Sequence, residues 1–139
     1  TLGGRIAAEA IQGDPTRFDL MARLAIVPMV LEARGLDVTP GMIAIFRKAG
    51  AEEAVGALET IYAEEVGHVA YGSKWFHFLC GREDRDPKEV FHAMVRRYFP
   101  GGPKPPFNDE KRAEAGIPPD FYWPLAEEMG GAVGGKPPK

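Results

Sequence analysis

The chain has 139 residues, enough for one modest domain with a single core. Its hydrophobic content of 45% is ordinary for a globular protein, and a net charge of −3 without a Lys/Arg block argues against nucleic-acid binding. No apolar run approaches the roughly 20 residues of a membrane-spanning helix, and the single Cys80 excludes an internal disulfide and predicts a reducing, cytoplasmic location.

The first predicted helices follow an ambiguous N-terminal segment, residues 1–18. Asp19 is a plausible N-cap for a helix to about residue 34, which is apolar nearly all round, as is typical of a bundle interior. Gly35 is expected to end this helix. Thr39 and Pro40 then predict the start of another helix, which ends near Gly50.

The longest predicted helix runs from about residue 52 to 79, and another from about 87 to 98. Residues 19–99 are therefore predicted to form an all-α helical domain. Nine of the 13 prolines lie from Pro100 onward, and proline-rich segments do not hold long helices. We expect residues 100–139 to form an irregular Pro/Gly-rich strap, with a short helix near 108–115 and a mobile end.

Glu65 and His68 are the strongest candidates for a functional site. They stand three residues apart in the longest helix, so they share one face, and their helical neighbours are mostly apolar. An E-x-x-H unit on an inward-facing helix is typical of di-iron and di-manganese carboxylate bundles. Gly67 and Gly72 lower helix propensity beside it, which suggests close approach of another helix or a ligand.

Glu32 lies among apolar neighbours in the first helix and would be costly to bury ionised and unpaired. It must be protonated, paired or bound to metal, and Pro28 one turn earlier predicts an irregular helix there. Structural alternatives stay open. Glu65 and His68 could form a hydrogen-bonded core pair. Partners for an ion pair with Glu32 are Arg23, Arg34 and Arg47.

Other candidate side chains are predicted to be structural. His77 and Cys80 are three residues apart but need not face one cavity, and His92 is expected at the surface or in packing. Asp37 could support a metal ligand as a hydrogen-bond acceptor or simply shape a turn.

Several contiguous strings resemble a bacterial ferritin-like family of unknown function, itself distantly similar to di-iron hydroxylases that modify tRNA. The strings are LEARGLDVTPGM at 31–42, EVGHVA at 65–70, RYFPGG at 97–102 and PFN at 106–108. The resemblance covers about residues 19–116. It implies that Glu32, Glu65 and His68 are metal ligands, with iron, or alternatively manganese, as the metal.

Members of the family usually carry an N-terminal half with another Glu and another E-x-x-H, and neither Glu9 nor residues 1–18 replace it here. The resemblance therefore implies a half-bundle of two long antiparallel helices plus shorter ones. A second copy in a homodimer would complete the set of four Glu and two His. A different subunit could also supply the missing half, or the metal could have been lost.

Three functions follow. The leading one is an oxygen-activating oxidoreductase or ferroxidase with a di-iron site completed across a dimer. The second is a non-enzymatic accessory subunit that keeps a degenerate, metal-free ferritin-like fold. The third is a mononuclear site of two Glu and one His. The sequence assigns no catalytic residue beyond the ligands and no substrate.

Overall fold

The computed structural model describes residues 20–130, all of whose regular elements are helices. Residues 1–18, the proposed Asp19 cap and the end of the strap lie outside the described residues. The elements are α1 (Leu20–Ile26), a π-helical segment (Val27–Glu32), α2 (Ala33–Lys48), α3 (Glu52–Arg82), α4 (Pro87–Tyr98), α5 (Asp109–Glu114) and α6 (Pro119–Gly130). No helix in this range has the length and apolar character needed to cross a membrane.

The predicted break at Gly35 and the predicted new helix at Pro40 are wrong. The chain stays helical from α1 through the π-helical segment to the end of α2, with Pro40 inside α2. The physical reason is burial at helical spacing. Ala33, Leu36, Thr39 and Ile43 recur every three or four residues and are all buried. Packing of this face outweighs the local signals of glycine and proline.

The continuous helix formed by α1, the π-helical segment and α2 is called the first rod below. Helix α3 runs back along it. Gly50 adopts a φ of 77° in the short turn between them, a left-handed conformation that glycine tolerates without strain. Helix α3 contacts α2, the π-helical segment and α1. The prediction of an all-α fold is confirmed for residues 20–130, and α3 extends three residues beyond its predicted end near 79.

The strap is more regular than predicted. The short helix near 108–115 is present as α5, whose N-cap Asn108 accepts a hydrogen bond from the Lys111 backbone N–H. Helix α6 was not predicted, and the interpretation of residues 100–139 as irregular is wrong for it. Pro119 is at its first position, where no N–H is needed, and the helix buries Phe121, Tyr122 and Trp123.

Helices α4 and α6 cover one side of the two long helices, the first rod and α3. Their aromatic side chains meet α3 in the core, where the Phe76 and Phe91 rings lie 6.2 Å apart and Phe91 and Phe121 lie 5.5 Å apart. Val69, Phe76 and Cys80 of α3 are completely buried there. The candidate site lies on a different, uncovered part of the same two long helices.

Candidate metal centre

The π-helical segment places Glu32 against α3. It contains the buried Pro28, and it packs so closely on α3 that a Cβ atom on Gly72 would lie 2.3 Å from the Pro28 Cβ and Cγ atoms. No side chain fits at position 72 without movement of the backbone. The close approach predicted for Gly72 is therefore confirmed, and its partner is another helix. Glu32 is the last residue of the segment and is partly buried.

Glu65 lies across from this segment on α3. Its side chain is 19% exposed, and its Cγ atom would be 3.7 Å from a Cβ atom built on Gly35, within one turn of Glu32. The pKa of Glu65 is raised, first by burial and then by the negative charge of Glu32, while His68 opposes the shift. The structure thus brings the two predicted carboxylates together from different helices.

Neither carboxylate is paired with a lysine or an arginine within residues 20–130. Arg34 hydrogen-bonds to the carbonyl oxygens of Lys104 and Pro106, at 2.7 and 3.3 Å, and Arg47 pairs with Glu59. Two of the three structural partners considered for Glu32 are therefore engaged elsewhere. Close like charges without a cation favour protonation or a bound cation.

His68 is near Glu65 but turned toward solvent. Its Nδ1 atom lies 3.8 Å from Glu65 Oε2, and its side chain is 64% exposed. The two side chains are close enough for an ion pair, but because His68 is exposed they do not form the core pair that the sequence left open. Among the described residues, no group of three or more His, Cys, Asp or Glu side chains is arranged to hold a metal ion. The two glutamates therefore lie close together, but the three predicted ligands do not converge on one point.

Several large apolar side chains on the two long helices are exposed, and we call the surface that they form with His68 the open face. On α3 it consists of Ile61, Tyr71, Trp75 and Phe78. On the first rod it consists of Leu20, Val27, Leu31, Val38 and Met42. On α3 the intervals between successive members, with His68 counted after Ile61, are seven, three, four and three residues. On the first rod the intervals from Leu20 to Met42 are seven, four, seven and four residues.

This spacing is that of helices packed side by side in a bundle, where apolar residues repeat every three and four positions. Tyr71, Trp75 and Phe78 also form a chain of edge-to-face ring contacts, with centroids 6.2 and 5.5 Å apart. Gly67, also on α3, has no atom within 4 Å of a Cβ built on it. The close approach predicted at Gly67 is thus absent among the described residues.

Asp37 has a structural role that the sequence did not reveal. Its completely buried carboxylate accepts hydrogen bonds from Arg112 Nε and Nη2, at 2.8 and 2.6 Å, and from the backbone N–H of Asn108 at 2.8 Å. The Asn108 side-chain amide donates to the Leu36 carbonyl and to the Tyr62 hydroxyl. This network holds the strap to the two long helices, one turn before Glu65.

Arg112, Asn108 and Tyr62 are the site-supporting residues that sequence reasoning missed. Arg112 is 2% exposed and contacts two rings, with its guanidinium 4.8 Å from the Phe107 centroid and 4.4 Å from that of Tyr122. In the sequence, the string at 106–108 is distinctive only through the family resemblance. Its pairing across about seventy residues has no local signal.

The remaining candidates are structural, as predicted. The His77 ring bonds the Ser73 carbonyl through Nδ1 at 2.8 Å, and His92 Nε2 bonds the carbonyl of Asp120 at 3.0 Å. Cys80 is buried, and burial raises the pKa of its thiol to about 11, so it stays protonated near neutral pH.

Residues 11–123 match a family described as "Protein of unknown function (DUF455)". The chain belongs to this family. It is also 36% identical over 102 residues to an uncharacterized protein of Haemophilus influenzae, a match that covers 73% of this chain and 35% of the relative. The chain therefore spans about a third of the length of that relative. No solved structure matches the chain.

Proposed function

We propose that this chain is half of a ferritin-like di-iron carboxylate protein, an oxygen-activating oxidoreductase or a ferroxidase. In this proposal Glu32, Glu65 and His68 are the metal ligands. The observation that carries it is the pairing of two glutamates on facing helices, close enough for Glu32 to raise the pKa of Glu65 and without a lysine or arginine partner among residues 20–130.

The donor atoms suit the metal. Carboxylate oxygen and imidazole nitrogen are both ligands for iron and manganese. A cation between the two carboxylates would relieve their repulsion, and His68, one turn along the same face, would add a nitrogen ligand from the solvent side. Two iron ions, when bound, would supply electrons for the reduction of dioxygen. The residue types fit half of a two-metal site, and in the described residues His68 would have to turn toward the two carboxylates to complete it.

The residues of the chain have distinct parts in this proposal. Glu65 is more enclosed than His68, and its raised pKa means that a proton competes with the metal, so that affinity should rise as the pH rises. The close contact between Pro28 and Gly72 fixes the separation of the two helices that carry the ligands. The Asn108–Tyr62 hydrogen bond of 2.7 Å secures α3 one turn away.

The other half of the site is proposed to come from a second copy of the chain, docked on the open face. Two copies would supply four Glu and two His, the set found in di-iron bundles. A two-fold contact would also cover Tyr71, Trp75 and Phe78, which are 41 to 66% exposed. In a chain as long as the Haemophilus relative, one polypeptide could provide both halves.

The test is metal content combined with mass in solution, on the 139-residue chain reconstituted with ferrous iron without oxygen. A dimer that holds about two irons would support the proposal. Glu65→Ala should abolish binding, while the control Glu64→Ala, which removes an exposed neighbouring carboxylate, should not. A monomer with about one metal would indicate the mononuclear site, and equal loss in both variants would refute the ligand assignment.

A second candidate is a metal-free accessory subunit that uses the open face to bind a partner. It is favoured by the exposure of His68 and by the lack of a gathered three-ligand group among the described residues. A chain that dimerises without metal, and whose association is indifferent to Glu65→Ala, would support this function over the first.

A further inference from the structure

A cavity of about 350 Å³ lies between the π-helical segment and the start of the strap. Its volume falls in the range of small-molecule sites, about 300–1,000 Å³. Most of its lining is apolar or aromatic, from Met29, Val30, Phe91, Phe99, Pro103 and Tyr122. None of the three proposed metal ligands lines it, and Leu31 is the one open-face residue that also lines the cavity.

The charged lining of the cavity is entirely basic. Arg34, Lys104 and Arg112 line it, and no Asp or Glu does. The charge of Arg112 is neutralised by its two hydrogen bonds with Asp37. Arg34 donates its shorter bonds to carbonyl oxygens and forms a longer ion pair with Asp37, at 3.5 Å, so the single charge of Asp37 is shared by two guanidinium groups. Lys104 has no ion pair within residues 20–130, and the cavity lining therefore carries excess positive charge.

We propose that this cavity binds a small organic carboxylate with an apolar body, of the medium-chain acyl class. The carboxylate lies at the mouth between Arg34 and Lys104, where the excess positive charge and the N–H donors of both side chains meet an anion. The apolar chain lies inward against Met29 and Phe91. Few convergent polar groups above an apolar floor are the usual composition of a ligand pocket.

The first experiment is calorimetric titration of the protein with sodium octanoate, with 1-octanol as the neutral comparison. Lys104→Met removes one cation and keeps the length of the side chain, so it should weaken octanoate binding about fivefold, as expected for a partly exposed charge pair. Lys48→Met is the matched control, because Lys48 is exposed at the end of α2 and lines no part of the cavity.

The second experiment locates the bound octanoate, because the open face could also adsorb an acyl chain. Methyl NMR of the methionines should show a saturable shift at Met29, 1% exposed in the cavity lining, with none at Met42, 41% exposed on the open face. The proposal is refuted by a shift at Met42 alone, by equal binding of octanol, by equal effects of the two lysine variants, or by no saturable binding.

Discussion

Asp37 and Glu65 are both carboxylates of the two long helices, but their surroundings differ in kind. Asp37 is completely buried under the strap and is matched by the Arg112 guanidinium and a backbone N–H. Glu65 is 19% exposed at the open face, beside Glu32 and without a lysine or arginine partner among residues 20–130. A buried charge that is fully paired serves the fold, whereas like charges left together favour a role in binding a cation.

The largest expected effect on stability comes from removing Asp37, the carboxylate that is paired. Asp37→Ala leaves Arg112 buried without its counter-charge, which should lower the free energy of unfolding by about 3–5 kcal/mol. Denaturant unfolding measures this, with Asp120→Ala as the control because its pair with Lys88 is exposed and should be worth less than about 1 kcal/mol. Similar losses in both variants would contradict the contrast between the two carboxylates.

Substitutions on the open face should weaken dimerisation rather than change the stability of the single chain. Trp75→Asp places a charge at the centre of the exposed aromatic chain and should weaken dimerisation by about 2 kcal/mol or more. Sedimentation measures this. Glu53→Lys, also exposed on α3 but outside the open face, should leave the mass unchanged. A dimer that survives Trp75→Asp must use another surface.

Alanine substitutions at two glycines of α3 should change the stability of the fold in opposite directions. Gly72→Ala forces a methyl group into Pro28 and should destabilise the fold by about 1–3 kcal/mol through overpacking. Gly67→Ala meets nothing within 4 Å and should stabilise the single chain by up to about 1 kcal/mol through helix propensity. Thermal unfolding of the monomer distinguishes them, and a destabilising Gly67→Ala would mean that another segment already covers the open face.

The smallest effect should be the pH dependence of Glu65. Its pKa is higher in the folded chain than in the unfolded chain, so the folded state keeps the proton more readily and ionisation costs stability. Without metal, the free energy of unfolding should rise as the pH falls through the folded pKa toward 4.5, and Glu65→Gln should remove that part of the slope. Unchanged slopes in the wild type and the variant would contradict this.

Much of the fold was predictable, and the failures share one cause. The long α3, α4 and the turn at Gly50 follow from apolar spacing and turn residues. Continuity through Pro40 and the existence of α6 did not, because burial of Leu36 and Tyr122 against distant segments outweighed local helix breakers. The candidate site was predictable as residue types at helical spacing. The Asp37–Arg112 pair, which joins positions 75 residues apart, was not.

The sequence by itself determined that this is a helical protein with Glu65 and His68 on one helix face and Glu32 on another helix, because helical periodicity is local. Only the tertiary structure decided that the two carboxylates meet while His68 faces solvent. It also decided that Asp37 is committed to Arg112. Those outcomes depend on which surfaces cover each side chain, and the packing of distant segments sets that.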